Sequence, residues 1–352
     1  MWMIDYGSTR HVGRHRGTLP VVLACPHGGG ETLPVPERTG HGLPPRCHFT
    51  TTRDRQTTTV TRGIAQRLLE LRGEAPYVVF ADFHRKYVDA NRSADCAYET
   101  DAAAPYYDEY HQTLRGFLDE VRAENGGRGL LFDIHGTAGL ASDPADLYLG
   151  TAAGKSVARL LKIDAHAMSR RRSLGGLLAA AGYVVSLNPP SLGGGYTVET
   201  YGSSQADGVD AIQIEIAAPL RTSVVKRATL IDNLARAIAT LVDHYVAVGT
   251  STAVQSLELL DAAPIQGSIA RLERVRTAGD SRLRLRLGGG GQRGRLELRR
   301  DTVSPHRAGV LVLHDETGKG HFLWVDKRGA LRIAPEDPGS SSDAGQIVGA
   351  QT

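Results

Sequence analysis

Residues 20–31 read PVVLACPHGGGE, and this stretch decides the fold class. A short apolar run stopped by a proline and three glycines has the length and composition of a strand buried on both faces. Such strands belong to a sheet covered by helices on either side. His27 then emerges at the strand's C-terminal end, where the active sites of open α/β sheets lie. Five further runs share the pattern: YVVFADF (77–83), GLLFDIH (129–135), DLYLG (146–150), YVVSLN (183–188) and AIQIEIA (211–217). Between and after them, apolar residues recur every three or four positions, which predicts helices over Thr59–Leu71, Tyr106–Glu124, Ser169–Ala181 and Val224–Val248. The expectation is an α/β domain over residues 1–257, with a mixed, largely parallel central sheet flanked by helices.

Beyond residue 257 the pattern changes. Segments such as RLRLRLG (282–288), VLVLHD (310–315) and HFLWVD (321–326) alternate with period two and are separated by glycine-rich turns. They predict a small antiparallel β domain over 258–335. Residues 336–352 are small and polar and read as a disordered tail.

Composition narrows the function classes. Hydrophobic residues make up 41% and charged residues 22% of the 352 residues, and the net charge is +3. Neither disorder, a membrane protein nor general nucleic-acid affinity is indicated. With no apolar leader and no apolar run of 18 residues, a cytoplasmic protein is expected. Cys25, Cys47 and Cys96 form no C-x-x-C pair, so three reduced thiols are expected.

The chemistry concentrates at strand ends. His27 and Glu31 flank the glycines, and a chain that folds back there brings a carboxylate to an imidazole. His135 leaves a second strand in GLLFDIHGTAG (129–139), and with His27 and Glu31 it makes the two-histidine, one-carboxylate set of a catalytic zinc site, one Zn2+ ion in all. Asp133, two residues earlier, is placed to orient the His135 ring. Glu215 interrupts an otherwise apolar strand, where a carboxylate is costly unless it is paired or catalytic, and it is the expected general base. FHRKYVDANRS (83–93) offers Arg85 to polarise a carbonyl or hold an anion, Arg92 to clamp a carboxylate in its planar fork, and Asn91 to add a hydrogen bond. The glycine-rich NPPSLGGGYTVETYG (188–202) reads as a substrate loop bearing Tyr196 and Tyr201.

Taken in order, CPHGGGE, RKYVDANR, DIHG, GGGYTVETYG and IQIE resemble the N-formylglutamate amidohydrolase family, over roughly residues 21–220. The resemblance implies a phosphorylase/hydrolase-like fold, akin to that of zinc carboxypeptidases, and cleavage of the amide of an N-acylated acidic amino acid. It puts His27, Glu31 and His135 on the metal, Asn91 and Arg92 on the substrate carboxylate, and Glu215 on the base, with Arg85 as the family's arginine upstream. The expected partner is a small carboxylate-bearing N-acyl amino acid or peptide, with no membrane or nucleic acid and with the oligomeric state open. A competing reading is a non-catalytic binding protein whose basic C-terminal strands contact nucleic acid or an acidic polymer. Hydrolysis through Cys25 is disfavoured because Cys25 belongs to the strand and no nucleophile elbow follows.

Overall fold

The computed structural model describes residues 3–246 and, beyond them, the backbone of seven strands. Contacts divide the chain into two compact units, Met1–Ser256 and Leu257–Thr352. The first unit is built on an eight-stranded sheet. Its strands are β1 (Asp5–Tyr6), β2 (Val12–His15), β3 (Leu19–Cys25), β4 (Pro76–Ala81), β5 (Leu130–Thr137), β6 (Leu147–Gly150), β7 (Val185–Leu187) and β8 (Asp210–Ala217). They lie in the order β1-β2-β4-β3-β5-β8-β6-β7. Pairing is parallel through β4, β3, β5 and β8 and between β6 and β7, and antiparallel at β1/β2, β2/β4 and β8/β6. Each of the six apolar runs forms a strand, and β3, β5 and β8 sit side by side at the centre. The N-terminal strands carry charge and histidine instead of an apolar run, so no hydrophobic pattern announces them.

Alternation along β5 and β8 separates two faces. Phe132, Ile134, Ile212, Ile214 and Ile216 point into a core shared with Ile64, Leu68, Leu230, Leu234 and Ile238 of the helices Thr57–Arg72 and Val224–Leu241. Leu131 and Ala211 join the opposite core, with Tyr110, Leu114 and Val121 of the helix Ala104–Glu124. Truncating any one of these fully buried leucines to alanine costs about 2–5 kcal/mol. The helix expected over Ser169–Ala181 is shorter, Leu174–Ala180. The last helix gives way after Leu241 to a π-turn over Val242–Val246, and its expected end at Val248 lies outside the described residues.

The second unit contains an antiparallel meander, β9 (Ile269–Thr277), β10 (Asp280–Gly288), β11 (Arg295–Arg299), β12 (Val310–His314), β13 (Gly320–Val325), β14 (Leu331–Ala334) and β15 (Gln346–Ile347), in which sheet order follows chain order. Gln346–Ile347, within the stretch read as a tail, pairs with β14. It includes one of the tail's few aliphatic residues, and the remainder of that stretch lies outside the described residues.

One expectation is corrected here. Cys47 and Cys96 form a disulfide, and only Cys25 is free and buried. The partners stand 49 residues apart and meet because the long irregular segment between Glu31 and Gln56 folds back along residues 95–99. The Arg46–Asp95 ion pair and the hydrogen bonds of Thr39 and Gly40 to the Glu99 carboxylate run beside the bridge. Spacing alone gives no sign of this approach. In the chain-entropy model a closed loop of that length stabilises the fold by about 4 kcal/mol. Replacing both cysteines by alanine is therefore expected to lower the free energy of unfolding by about 2–4 kcal/mol, read from denaturant curves, and an unchanged midpoint would contradict this.

No helix among the described residues is long and apolar enough to cross a membrane.

Candidate metal centre

Between the β3/β4 pair Cys25–Phe80 and the bridge Glu31–Phe83 lie five residues on one chain segment and two on the other. The surplus forms a loop, and His27 sits on it. Gly29 threads this loop past the backbone of β4. A Cβ there would lie 2.2 Å from the Asp82 carbonyl carbon and 2.4 Å from the Ala81 oxygen. None of Gly28, Gly29 and Gly30 has a positive φ, so at Gly29 glycine is required by close approach and not by a left-handed turn. Gly29→Ala is expected to destabilise the protein by at least about 2 kcal/mol, because neither backbone can yield without moving His27. Equal unfolding midpoints for the two proteins would refute this.

The loop does not fold Glu31 back. Its backbone continues alongside β4, donating to Asp82 O and accepting from His84 N, and its side chain is exposed. The carboxylate that meets the two histidines belongs to Asp54. His27, Asp54 and His135 are all buried and form the one group among the described residues whose ligand atoms are close enough together to hold a metal ion. His27 Nδ1 lies 3.2 Å from His135 Nδ1. Asp54 Oδ2 lies 3.1 Å from His135 Nδ1 and 3.6 Å from His27 Nδ1. The edge between two ligands on a tetrahedral zinc, with bonds near 2.0–2.1 Å, is about 3.3 Å. The three donor atoms are therefore already spaced as three corners of such a site.

Asp54 is missing from the sequence reading because TTRDRQTT (51–58) has neither an apolar run nor a glycine. Its one signal is an aspartate three residues ahead of a helix, which reads as a capping residue. In the structure its backbone N–H donates to His27 O at 2.9 Å, and its Oδ2 also accepts from Gly136 N at 3.0 Å. The carboxylate is thus tied to both histidine-bearing segments.

The outer ring nitrogens are held as metal-binding imidazoles are. His27 Nε2 is 2.6 Å from Asp89 Oδ1, and His135 Nε2 is 2.9 Å from Asp133 Oδ2. These bonds put the ring protons outward and leave the two Nδ1 lone pairs facing each other, an arrangement that needs a proton or a cation between them. Asp89 is fully buried; in the sequence it reads as a member of a surface ion-pair network.

Charge reinforces the geometry. Burial disfavours the ionised Asp54, yet hydrogen bonds and charge from His135 and His27 hold its carboxyl well below the usual range. Burial likewise opposes the Asp89 carboxylate and is outweighed by His27, Arg85 and Arg92. Burial also opposes an imidazolium at His135, but Asp133 and Asp54 keep its pKa well above the ordinary value. Three buried carboxylates thus call for positive charge at the Nδ1 pair, and a divalent cation would displace the His135 proton to supply it.

Glu215 stands directly opposite His135 in the β5/β8 register. Its Oε1 accepts from Gln213 Nε2 at 3.0 Å. Burial raises its pKa to about 7, with Asp54 and Asp133 adding to the shift and His135 and Arg85 opposing it.

The remaining expected site residues are distributed differently. Arg85 Nε and Nη2 both bind Asp89 Oδ2, at 2.9 and 2.8 Å, and Nη1 has no hydrogen-bond partner among the described residues. Arg92 is half-buried and donates from Nη1 to Asn91 O and from Nε to His48 O, and Nη2 remains. Asn91 is buried: its Oδ1 accepts from Thr197 N and Oγ1, and its Nδ2 lies 3.1 Å from His135 Nε2. Through Thr197 it is tied to the glycine-rich loop, and its amide lies beside the His135 ring without bonding it, since Nε2 already donates to Asp133. Gly195 is needed here, since a Cβ would lie 2.7 Å from Asn91 Nδ2. Tyr201 is buried, with its hydroxyl on His111 Nδ1 and its ring under Arg115. Tyr196, which opens the short helix Tyr196–Tyr201, is half-buried.

Residues 99–220 match the model of the family described as N-formylglutamate amidohydrolase. The matched segment holds His135, the glycine-rich loop and Glu215, while His27, Asp54 and Arg85 precede it. No curated protein matches this sequence. A crystal structure of a gene product from Agrobacterium tumefaciens is 17% identical, with 66% of this chain and 94% of that one covered at a TM-score of 0.45. The succinylglutamate desuccinylase from Chromobacterium violaceum is 15% identical, with 86% and 88% covered at a TM-score of 0.35. Both likenesses are remote.

Proposed function

We propose, from the membership of residues 99–220 in the N-formylglutamate amidohydrolase family, that this chain is a metal-dependent amidohydrolase. Its substrate is an N-acyl amino acid or a small acidic peptide. The observation that carries the reading is the convergence of His27 Nδ1, Asp54 Oδ2 and His135 Nδ1, with both outer nitrogens fixed by carboxylates. These three residues hold one divalent ion, and imidazole and carboxylate donors at tetrahedral spacing suit zinc. Zinc bound there supplies Lewis acidity, polarising a carbonyl and acidifying water.

The protein's own groups do the rest. Glu215, with a pKa near neutrality, takes a proton from the attacking water and delivers it to the leaving nitrogen, so that an acid and a free amine result. Asp89 and Asp133 keep the rings aimed, and Arg85 anchors Asp89 while offering Nη1 to the developing oxyanion. Arg92 holds the substrate carboxylate through Nη2. Tyr196 borders the substrate on the glycine-rich loop.

Metal analysis of the purified protein, together with release of acid and amine from a panel of N-acyl amino acids, tests this reading. About one zinc per chain and chelator-sensitive hydrolysis are expected. A protein that binds no divalent metal and cuts none of the panel would overturn it.

A further inference from the structure

We propose that the Cys47–Cys96 disulfide is a redox switch for the metal centre, whose reduction slackens the chain around Asp54 and weakens metal binding without unfolding the domain. The inference rests on the metal-site reading above and adds to it a control by two residues that lie outside the site.

The bridge joins the two segments whose aspartates flank the His27 ring. Asp54 stands seven positions after Cys47 and Asp89 seven positions before Cys96. Asp54 Oδ2 lies 3.6 Å from His27 Nδ1, and Asp89 Oδ1 holds His27 Nε2 at 2.6 Å. Asp89 also donates its backbone N–H to the carbonyl of Ala97, next to Cys96, at 2.9 Å. On the other side of the bridge, residues 47–56 form neither helix nor strand, so no ladder of backbone bonds keeps Asp54 in place. Beyond the bonds of Asp54 itself, this stretch is tied to its surroundings by scattered donors. Arg92 Nε reaches His48 O at 3.3 Å, Arg38 Nη2 reaches Thr50 O at 2.8 Å and Arg221 Nη1 reaches Arg55 O at 2.6 Å. The Arg46–Asp95 pair beside the bridge is largely exposed and contributes little. The covalent link is the strongest constraint on where this stretch lies.

Cys47 is half-buried and Cys96 buried, so a reductant meets the Cys47 sulfur first. A dithiol attacks there and releases Cys96 as a thiolate, and its second thiol then displaces Cys47. Two cysteine thiols form here as one cyclic disulfide forms on the reductant. Cys25, buried in β3, takes no part. Once the bridge is open, residues 47–56 sample more conformations in the metal-free protein, and ordering them around an ion opposes its binding. The scattered hydrogen bonds remain, so affinity falls without vanishing. Arg92 shares the change through His48, which puts the expected substrate clamp under the same control.

The test compares the full-length protein oxidised, reduced with tris(2-carboxyethyl)phosphine that is then removed, and reoxidised. Competition for zinc with a chromophoric chelator should show binding weaker by about tenfold or more in the reduced state, with recovery on reoxidation. The double variant Cys47→Ser, Cys96→Ser should match the reduced protein and ignore the phosphine, which separates loosening from capture of zinc by freed thiols. In the metal-free protein, amide hydrogen exchange should quicken on reduction within residues 47–56 and 89–97 and stay unchanged in β3, β5 and β8. Equal zinc affinity in the oxidised and reduced states would overturn the proposal, and so would global unfolding on reduction, since the bridge would then be a structural staple. If neither state binds a divalent ion, the metal-site reading itself has failed. Exchange that quickens only in those two stretches then still supports a redox-controlled segment, and unchanged exchange removes it.

Discussion

Asp54→Ala is expected to strip the protein of bound metal and of hydrolysis together, whereas Glu31→Ala should leave both intact. Losing one of three protein donors should weaken metal binding by well over 100-fold, since removal of an outer partner alone typically costs 10–100-fold. Asp89→Asn supplies that intermediate case, because Asp89 touches His27 only through Nε2. Competition with a chromophoric chelator would rank the three variants. The order Asp54→Ala weakest, Asp89→Asn intermediate and Glu31→Ala like wild type follows from the distances. If Glu31→Ala lost the metal and Asp54→Ala kept it, the centre described here would be wrong. Exposed Glu31 makes no side-chain hydrogen bond or ion pair among the described residues, and alanine preserves its backbone bonds.

Glu215→Gln should abolish activity without releasing the metal. Hydrolysis should fall by about 100-fold or more, as expected when a general base is removed, with zinc still bound. In the metal-free protein the same change should stabilise the fold at alkaline pH. Glu215 has a pKa of about 7 in the folded state against an ordinary 4.5, so folding favours its protonated form. Its contribution is undiminished below pH 4.5, declines as the pH rises toward 7, and beyond that remains as a penalty of up to about 3 kcal/mol. Glutamine is neutral throughout and avoids that penalty. Thermal melts of metal-free wild type and variant should therefore coincide near pH 4 and separate at pH 8, with the variant the more stable. A variant that is less stable at pH 8, or that retains turnover near the wild-type rate, would refute the role given to Glu215. Bound metal should narrow the gap, since a nearby cation favours the carboxylate.

Much of this site was legible before any coordinates. His27, His135, Asp133 and Glu215 each stand at or beside the end of an apolar run, and a polar residue there is conspicuous because burying it is costly. The adjacency of β3, β5 and β8, which brings these four together, is set by the sheet topology and not by the runs themselves. Asp54 and Asp89 were not legible as site residues. Both lie in polar segments where a charge looks like solvated surface, and only the packing of those segments against the sheet buries them. Asn91 and Tyr201, which read as substrate contacts, are both buried, with Asn91 Oδ1 held by Thr197 and the Tyr201 hydroxyl on His111, and that packing is not visible in the sequence.

The HGGGE stretch shows where the division lies. By itself the sequence determined that β3 is a buried strand, that a histidine leaves its C-terminal end, and that an unusual backbone path follows, because hydrophobic period and glycine content are local properties. Which carboxylate meets that histidine was decided by tertiary structure alone. Gly29 must clear the backbone of β4, and this sends Glu31 onward along the sheet instead of back. The segment held by Cys47–Cys96 then delivers Asp54 from 27 positions later in the chain to the place left beside His27 and His135. Electrostatics asks only for an anion between two imidazoles, and packing chooses which one arrives.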